Sequence, residues 1–234
     1  MTATLYGVGV GPGDPDLITL KAHRILQTVP VIAWPAPLEG ESMARRIASP
    51  HLPDGRIEIP IRMPLSSDRF PMEGIYDQAA EALGAHLSAG RDVAVLCEGD
   101  PFVYGSFMYL FARMADRYPV RVVPGISSLT AGAAALGAPL AARNDVLSVV
   151  PAPLPEDVLE QRIAAADAAV IIKVGRHLGK LRRVLRRLEL VDRARYVEYA
   201  TMAEQSVRPF AEVSGDAAPY FSMVLVHRRG EAWR

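Results

Sequence analysis

The sequence predicts an α/β fold built on a parallel sheet, and three observations lead there. The chain has 234 residues and is 50% hydrophobic, enough to bury a sizeable core in one large domain or two smaller ones. Apolar runs of strand length alternate with segments of helical periodicity, the pattern of a sheet with helices around it. The run Val93-Ala94-Val95-Leu96-Cys97 is apolar throughout, as a strand buried on both faces is, and it breaks off into Glu98-Gly99-Asp100-Pro101. In an open α/β sheet, ligands sit outside the carboxyl ends of the strands. Gly99 lets the backbone come close to a ligand. Asp100 precedes a proline and is pushed towards an extended geometry that displays its carboxylate. Turn chemistry alone accounts for the same residues as an ordinary strand-to-helix turn.

Taken in order, residues 5–10 read as the first strand and Gly11-Pro12-Gly13-Asp14-Pro15-Asp16 as a tight loop. A helix is expected over 19–27, with Leu17, Leu20 and Ile25 among its apolar contacts, then a strand over 29–34 whose leading proline suits a strand start. A helix near 42–48 and a short strand at 56–59 follow, and 60–71 reads as an irregular flap. The segment 73–87 is helical, with Ile75, Ala79, Ala82, Leu83 and Leu87 at helical spacing. After the central strand come a helix from Ser106 to about Asp116 and a strand over 120–123. Pro124-Gly125 is a candidate hinge. A small-residue helix follows to Leu136, which Ser127 or Ser128 can cap. Strands are expected at 146–150, 168–173, 195–199 and 221–226, with a helix opening at Pro155 and a basic amphipathic helix over 175–190. The stretch 203–214 is ambiguous, a hairpin being one reading.

Composition excludes several classes. Lys and Arg number 26 and so do Asp and Glu, a neutral balance that speaks against a nucleic-acid binder. One cysteine rules out a disulfide or a cysteine-rich zinc site within the chain. No apolar run approaches the ~18–20 residues of a membrane span. The N-terminus lacks the basic and apolar regions of a signal peptide, so a cytoplasmic location is expected. The first loop fails the G-x-G-x-x-G dinucleotide fingerprint in both registers, no Gly-Lys-Ser/Thr phosphate loop is present, and Asp14 would repel a phosphate. The five histidines form no metal-ligand pair, and no metal is expected. Cys97 reads as a core residue before a nucleophile, and Ser127 and Ser128 lack the hydrolase elbow. The basic face of 176–190 reads first as solvated, the other reading being attraction of an anionic substrate.

Six stretches, in order, resemble one family. They are Gly9-Val10-Gly11-Pro12-Gly13-Asp14-Pro15, Glu98-Gly99-Asp100-Pro101-Phe102-Val103-Tyr104-Gly105, Val123-Pro124-Gly125-Ile126-Ser127-Ser128, Lys173-Val174-Gly175, Ala200-Thr201-Met202-Ala203-Glu204-Gln205 and Pro219-Tyr220-Phe221-Ser222. In order and spacing they resemble the S-adenosylmethionine-dependent tetrapyrrole methyltransferases, over essentially the whole chain. The resemblance implies two α/β domains, 1–123 and 124–234, with the cofactor folded into the cleft between them, and usually a homodimer.

It also implies roles. Glu98, Gly99, Asp100, Val103 and Tyr104 would lie against the cofactor, S-adenosylmethionine. Ser127 and Ser128 would offer donors to its carboxylate, and Val174, Ala200, Thr201 and Met223 would line its adenine slot. Gly11, Pro12, Gly13 and Asp14 would face a tetrapyrrole substrate. Arg62 and Arg143, with Arg45, Arg46 and Arg69, are candidates to grip its carboxylates. Glu98, Tyr104 or a bound water would accept the proton that the methylated carbon loses. The flap over 60–71 is the expected place for substrate discrimination. A module that sequesters a tetrapyrrole or cofactor without turnover would share these features. A methyltransferase acting on RNA or protein is disfavoured by the neutral charge.

Overall fold

A computed structural model of the protein describes residues 3–64 and 72–229, so most of the expected flap, 65–71 with Arg69, lies outside the described residues. The chain divides into two compact units, Met1–Ser127 and Ser128–Arg234.

The first unit runs β1 (Leu5–Gly9), α1 (Leu20–Leu26), β2 (Val31–Pro37), α2 (Met43–Ala48), β3 (Ile57–Met63), α3 (Met72–Ser88), β4 (Val93–Cys97), α4 (Phe107–Met114) and β5 (Val120–Val123). Its five strands are all parallel, in the order β3-β2-β4-β1-β5. One face packs against α3 and α4 through Tyr76, Leu83, Phe107 and Leu110, the other against α1 and α2 through Ala22, Leu26, Ala44 and Ile47. With both faces covered, β4 is buried at every position. Thr19 and Ser42 start α1 and α2 by accepting from the Ala22 and Arg45 N–H groups.

Several expectations change here. Leu20 is 73% exposed, because α1 turns Ala22 and Leu26 inward, one helical turn apart. Ala82 is exposed on α3, and Tyr76 and Ala80 take the buried face beside Ala79, Leu83 and Leu87. Strands β2 and β3 run on through Pro35, Pro37 and Pro60, where irregular chain was expected from residue 60. The reason is positional. β4 pairs with β2 only along Val31–Ala33, so beyond that point β2 has β3 as its one strand neighbour, and β3 is an edge strand. A missing N–H is tolerated there.

The second unit runs α5 (Ser128–Leu136), β6 (Leu147–Pro151), α6 (Glu156–Ala165), β7 (Ala168–Ile172), α7 (Leu178–Arg187, after a 3-10 turn at Gly175–His177), β8 (Ala194–Glu198), β9 (Ser206–Pro209) and β10 (Ser222–His227). Its sheet, ordered β6-β7-β10-β8-β9, is mixed. Only β6 and β7 are parallel, and β10 returns between β7 and β8 antiparallel to both. The strand–helix alternation therefore predicted a parallel sheet correctly for the first unit and incompletely for the second. The ambiguous 203–214 stretch supplies β9, antiparallel to β8. Helix α7 buries Leu178, Leu181, Val184 and Leu185, with Leu188 half-buried against them. Its basic face is largely engaged: Arg183 and Arg187 pair with Glu156, Arg187 also with Glu160, and Arg182 donates to the Val213 and Gly215 carbonyls. This supports the solvated reading of that face.

Candidate functional site

The six stretches named above all fall on one edge of their own sheet. In the first unit they follow β1, β4 and β5 at the strands' carboxyl ends. In the second, two follow β7 and β8, and the third leads into β10, which is antiparallel and so starts at that same edge. Carboxyl-end edges are where open α/β sheets hold ligands.

In the first unit three loops meet through glycine backbones. Gly99 N–H donates to the Gly11 carbonyl at 2.8 Å, and Gly11 N–H to the Gly99 carbonyl at 3.3 Å. A Cβ on Gly125 would stand 2.1 Å from the Gly99 carbonyl oxygen, and one on Gly9 would stand 2.6 Å from Gly125 backbone atoms. No side chain fits at this junction. Gly125, read from the sequence as a hinge, is packed tight within the first unit. Asp100 binds the loops further: one carboxylate oxygen accepts from Phe102 N–H at 2.9 Å and the other from Gly125 N–H at 3.1 Å. Asp100 thus holds the loop after β5 to the loop after β4.

Glu98, next in line after β4, is half-buried and accepts from the Ala44 N–H at the start of α2. Burial pushes its carboxyl up from the ordinary range, and the Ala44 N–H offsets only part of this. Burial, followed by the Glu98 and Asp100 charges, pushes the Cys97 thiol up as well. Cys97 therefore stays a protonated core residue, not a nucleophile. Val103 and Tyr104 are exposed, and Tyr104 sits at φ 56°. Ser128 opens α5 and is exposed, with the half-buried Ser127 just before it.

In the second unit Ala200 and Met223 come together in one apolar cluster with Val197 and Leu136. The Met223 side chain lies over Gly132 of α5, where a Cβ would meet its methyl at 2.3 Å. The Val174 side chain is fully buried in the other cluster, with Leu178 and Ala152, so only its backbone is available to a ligand. Thr201 N–H donates to the Gln205 side-chain oxygen at 2.7 Å.

Backbone strain marks the same loops. Among the described residues six non-glycine residues have positive φ, and four of them are Tyr104, Lys173, Tyr199 and Thr201, each at or beside a residue expected at the cofactor. A β-branched residue such as Thr201, at φ 69°, rarely adopts this conformation. Such strain clusters at functional sites. Residue type does not mark the strain at Lys173 and Tyr199, because nothing in a single sequence assigns a non-glycine residue to the left-handed region.

The expected substrate residues are more scattered. Gly11 and Pro12 are buried, Gly13 and Asp14 half-buried, and the Asp14 carboxylate accepts from Asp16 N–H at 2.9 Å. Arg62 belongs to the first unit and donates to the Pro37 and Leu38 carbonyls at 2.9 and 3.2 Å. Arg143 belongs to the second, exposed at φ 51° in a turn where Ala142 N–H donates to Asp145. Among the described residues no group of three or more His, Cys, Asp or Glu is placed to hold a metal ion. Nor is any described helix long and apolar enough to cross a membrane.

A family model of the tetrapyrrole (corrin/porphyrin) methylases matches residues 4–213. A precorrin-2 C(20)-methyltransferase of Sinorhizobium sp is 43% identical over 230 residues, which cover 95% of this chain and 94% of that protein. A cobalt-precorrin-2 C(20)-methyltransferase of Salmonella typhimurium is 32% identical over 234 residues, 99% of each chain. The cobalamin biosynthesis protein CobIJ of Mycobacterium tuberculosis is 42% identical over 231 residues, and there the match spans about half (46%) of the relative's length. Among solved structures, uroporphyrin-III C-methyl transferase from Thermus thermophilus, complexed with S-adenyl homocysteine, has a TM-score of 0.71 at 25% identity. That likeness covers 97% of this chain and 99% of that one.

Proposed function

The chain belongs to the tetrapyrrole (corrin/porphyrin) methylase family, and on that premise we propose that it methylates C-20 of precorrin-2. The products are precorrin-3A and S-adenosylhomocysteine, and the step serves cobalamin biosynthesis. One observation carries the reading: all six stretches that resemble the family lie on the ligand edge of their sheets. The 43% identity to the Sinorhizobium enzyme over nearly both full chains supports the choice of substrate.

The residues present fit S-adenosylmethionine. The exposed start of the nine-residue α5, at Ser128, offers N–H donors to a carboxylate. Ala200, half-buried at the edge of the cluster that holds Met223, offers an apolar wall for an adenine ring. When bound, S-adenosylmethionine supplies a methyl group on a sulfonium that needs no covalent activation. The protein's task is then alignment and exclusion of water. Alignment alone contributes about 7–11 kcal/mol in well-oriented reactions. The glycine junction and Asp100 fix the loop Glu98–Tyr104 for that purpose, and Gly11–Asp14 face the tetrapyrrole. Arg62 and Arg143 meet its carboxylates. C-20 bridges two nitrogen-bearing rings and is nucleophilic as an enamine is, so after methylation it must lose a proton. Glu98 accepts that proton, its carboxyl already poised upward by burial, and Tyr104 borders the reacting face. The same reading makes the protein a cytoplasmic homodimer.

A second reading, methylation of the cobalt complex at the same carbon, is favoured by the Salmonella relative's match over 99% of both chains. An anaerobic assay offering both substrates at equal concentration, read by mass spectrometry, separates them. Precorrin-2 should gain one methyl group, and faster than the cobalt complex. The reverse order would move the substrate assignment. Tight binding without any gain of mass would leave a sequestering module in place of an enzyme.

A further inference from the structure

We propose that Glu198 is a positioning residue: by joining Tyr196 to Arg208 it braces the turn that carries Ala200 and Thr201, and so sets how tightly the second unit holds the adenosyl part of S-adenosylmethionine. This rests on the cofactor reading above and names what keeps that edge in shape. Glu198 ends β8 and Ser206 begins β9, and the two lie opposite each other, so residues 199–205 form the turn between the strands. Tyr199 and Thr201, on either side of Ala200, both have positive φ, 51° and 69°. Two such residues in one short turn persist only where the surroundings hold them. Inside the turn, Met202 N–H donates to the Tyr199 carbonyl at 2.9 Å and Gln205 N–H to the Met202 carbonyl at 3.1 Å. From β10, the Phe221 carbonyl accepts from Tyr199 N–H at 2.8 Å. The remaining hold is at the root of the turn, in side chains.

These side chains close a triangle. One Glu198 carboxylate oxygen accepts from the Tyr196 hydroxyl at 2.5 Å, and the other from the Arg208 guanidinium at 2.8 Å. Arg208 lies opposite Tyr196 on β9, its guanidinium 5.4 Å from the Tyr196 ring centroid. Tyr196 is fully buried and the Glu198 side chain only 16% exposed. Burial, followed by the Glu198 carboxylate, pushes the Tyr196 phenol up, so it stays a protonated donor. On the other side of β8, Ser222 lies opposite Glu198, and its hydroxyl donates to the Pro219 carbonyl at 2.7 Å, where the chain turns into β10. Strand alternation then separates the triangle from the ligand wall. Tyr196 packs with Phe210 and Val224 on one face of the sheet, whereas Val197 packs with Met223 and Ala200 on the other. The triangle therefore does not touch a ring seated at Ala200, and its influence passes through the backbone of 199–201. Stability alone is a weak reason for this charge pair, since apolar replacements of such pairs are often as stable. What the closed set of hydrogen bonds adds is a fixed geometry.

The full chain and its variants are titrated with S-adenosylhomocysteine and with adenosine, at a temperature where circular dichroism shows each protein folded. Glu198→Ala should weaken S-adenosylhomocysteine binding about 10-fold or more, the loss expected for charge-assisted hydrogen bonds. Adenosine should lose by the same factor, because the turn serves the adenosyl part. Glu198→Gln keeps a carbonyl acceptor and should fall between Glu198→Ala and the wild type. Arg208→Ala should weaken binding as well, and the double variant Glu198→Ala/Arg208→Ala should bind no worse than Glu198→Ala, because both act through one triangle. In methyl-transfer assays the KM for S-adenosylmethionine should rise by more than kcat falls, as when binding remote from the reacting centre is lost. If Glu198→Ala does not fold, Glu198→Gln and Arg208→Ala carry the same comparison. A lower urea midpoint with unchanged affinity for both ligands would make the triangle purely structural and overturn the proposal, and so would additive losses or a fall confined to kcat. Failure of the wild-type protein to bind S-adenosylhomocysteine would instead strike the proposed reaction, and this inference with it.

Discussion

In the first unit the loops after β1, β4 and β5 meet through glycine backbones, with Gly9, Gly99 and Gly125 in contact. In the second, the loops after β7 and β8 hold Lys173, Tyr199 and Thr201 at positive φ, with side chains in place. The first unit thus shapes its ligand edge mainly through glycine contacts, with Tyr104 at positive φ beside them, and the second mainly through strained non-glycine residues. Glycine permits close backbone approach and gives up side-chain contacts. A non-glycine residue in the left-handed region keeps its side chain and stores strain of about 1–3 kcal/mol. The first unit should therefore tolerate no added atom at its junction, and the second should tolerate, and even profit from, relief of its strain.

The largest effect is expected from Gly125→Ala. Its methyl would collide with the Gly99 carbonyl and Gly9 backbone, which cannot rotate away as a side chain would. Overpacking costs about 1–3 kcal/mol, and more where the neighbour cannot yield. Urea unfolding should show the loss, and calorimetry should find S-adenosylhomocysteine binding abolished. A stable variant that binds normally would break the contrast between the units.

Asp100→Ala comes next. It removes the acceptor of the Phe102 and Gly125 N–H groups while leaving the strands intact. Charge-assisted hydrogen bonds contribute about 1.5–3 kcal/mol, so cofactor-product affinity should fall about 10-fold or more with the fold retained. Asp100→Asn, which keeps one acceptor, should fall between. Unchanged affinity would mean that the junction does not need this cross-link.

A smaller effect concerns pH. Glu98 must be ionised to take a proton, and burial holds its carboxyl above the ordinary range. The methyl-transfer rate should therefore climb with rising pH through a value above the usual carboxylate range, and fall as pH drops through it. Glu98→Gln should flatten that limb. A profile unchanged by the substitution would assign the proton to another group, Tyr104 or water.

The smallest effect sharpens the second unit. Thr201→Gly should stabilise the protein by about 0.5–1 kcal/mol, the relieved strain exceeding the entropy that glycine loses. Cofactor-product affinity should weaken at the same time, because the Thr201 N–H would no longer be held as firmly to Gln205. A higher urea midpoint with unchanged affinity would show that the strain is incidental to binding.

The contrast also explains which features are legible in the sequence. The first unit's loops are written in glycine and proline, so Gly11–Asp14, Glu98–Pro101 and Pro124-Gly125 stand out by residue type alone. Strand β4 and its loop are placed correctly by an apolar run and its abrupt end. The mixed sheet is not legible, because β10 reads as an ordinary buried strand and its antiparallel direction is set by packing between β7 and β8. Extension of β2 and β3 through three prolines is hidden for a related reason: local rules disfavour proline in strands, and only the position at the sheet's edge lifts them. Lys173 and Tyr199 carry no residue-type signal. The inward role of the Val174 side chain likewise depends on which way a turn after β7 faces. Site residues defined by backbone freedom are thus readable, and those defined by tertiary strain are not.

Methyl transfer from S-adenosylmethionine, as proposed, requires that the chain bind the product S-adenosylhomocysteine. Titration of the purified full chain with S-adenosylhomocysteine, followed by calorimetry, tests it most directly. Saturable binding at one site per chain is expected, lost in Gly125→Ala and weakened in Asp100→Ala. No heat of binding to the wild-type protein at ~1 mM ligand, a concentration that reveals even weak sites, would contradict it.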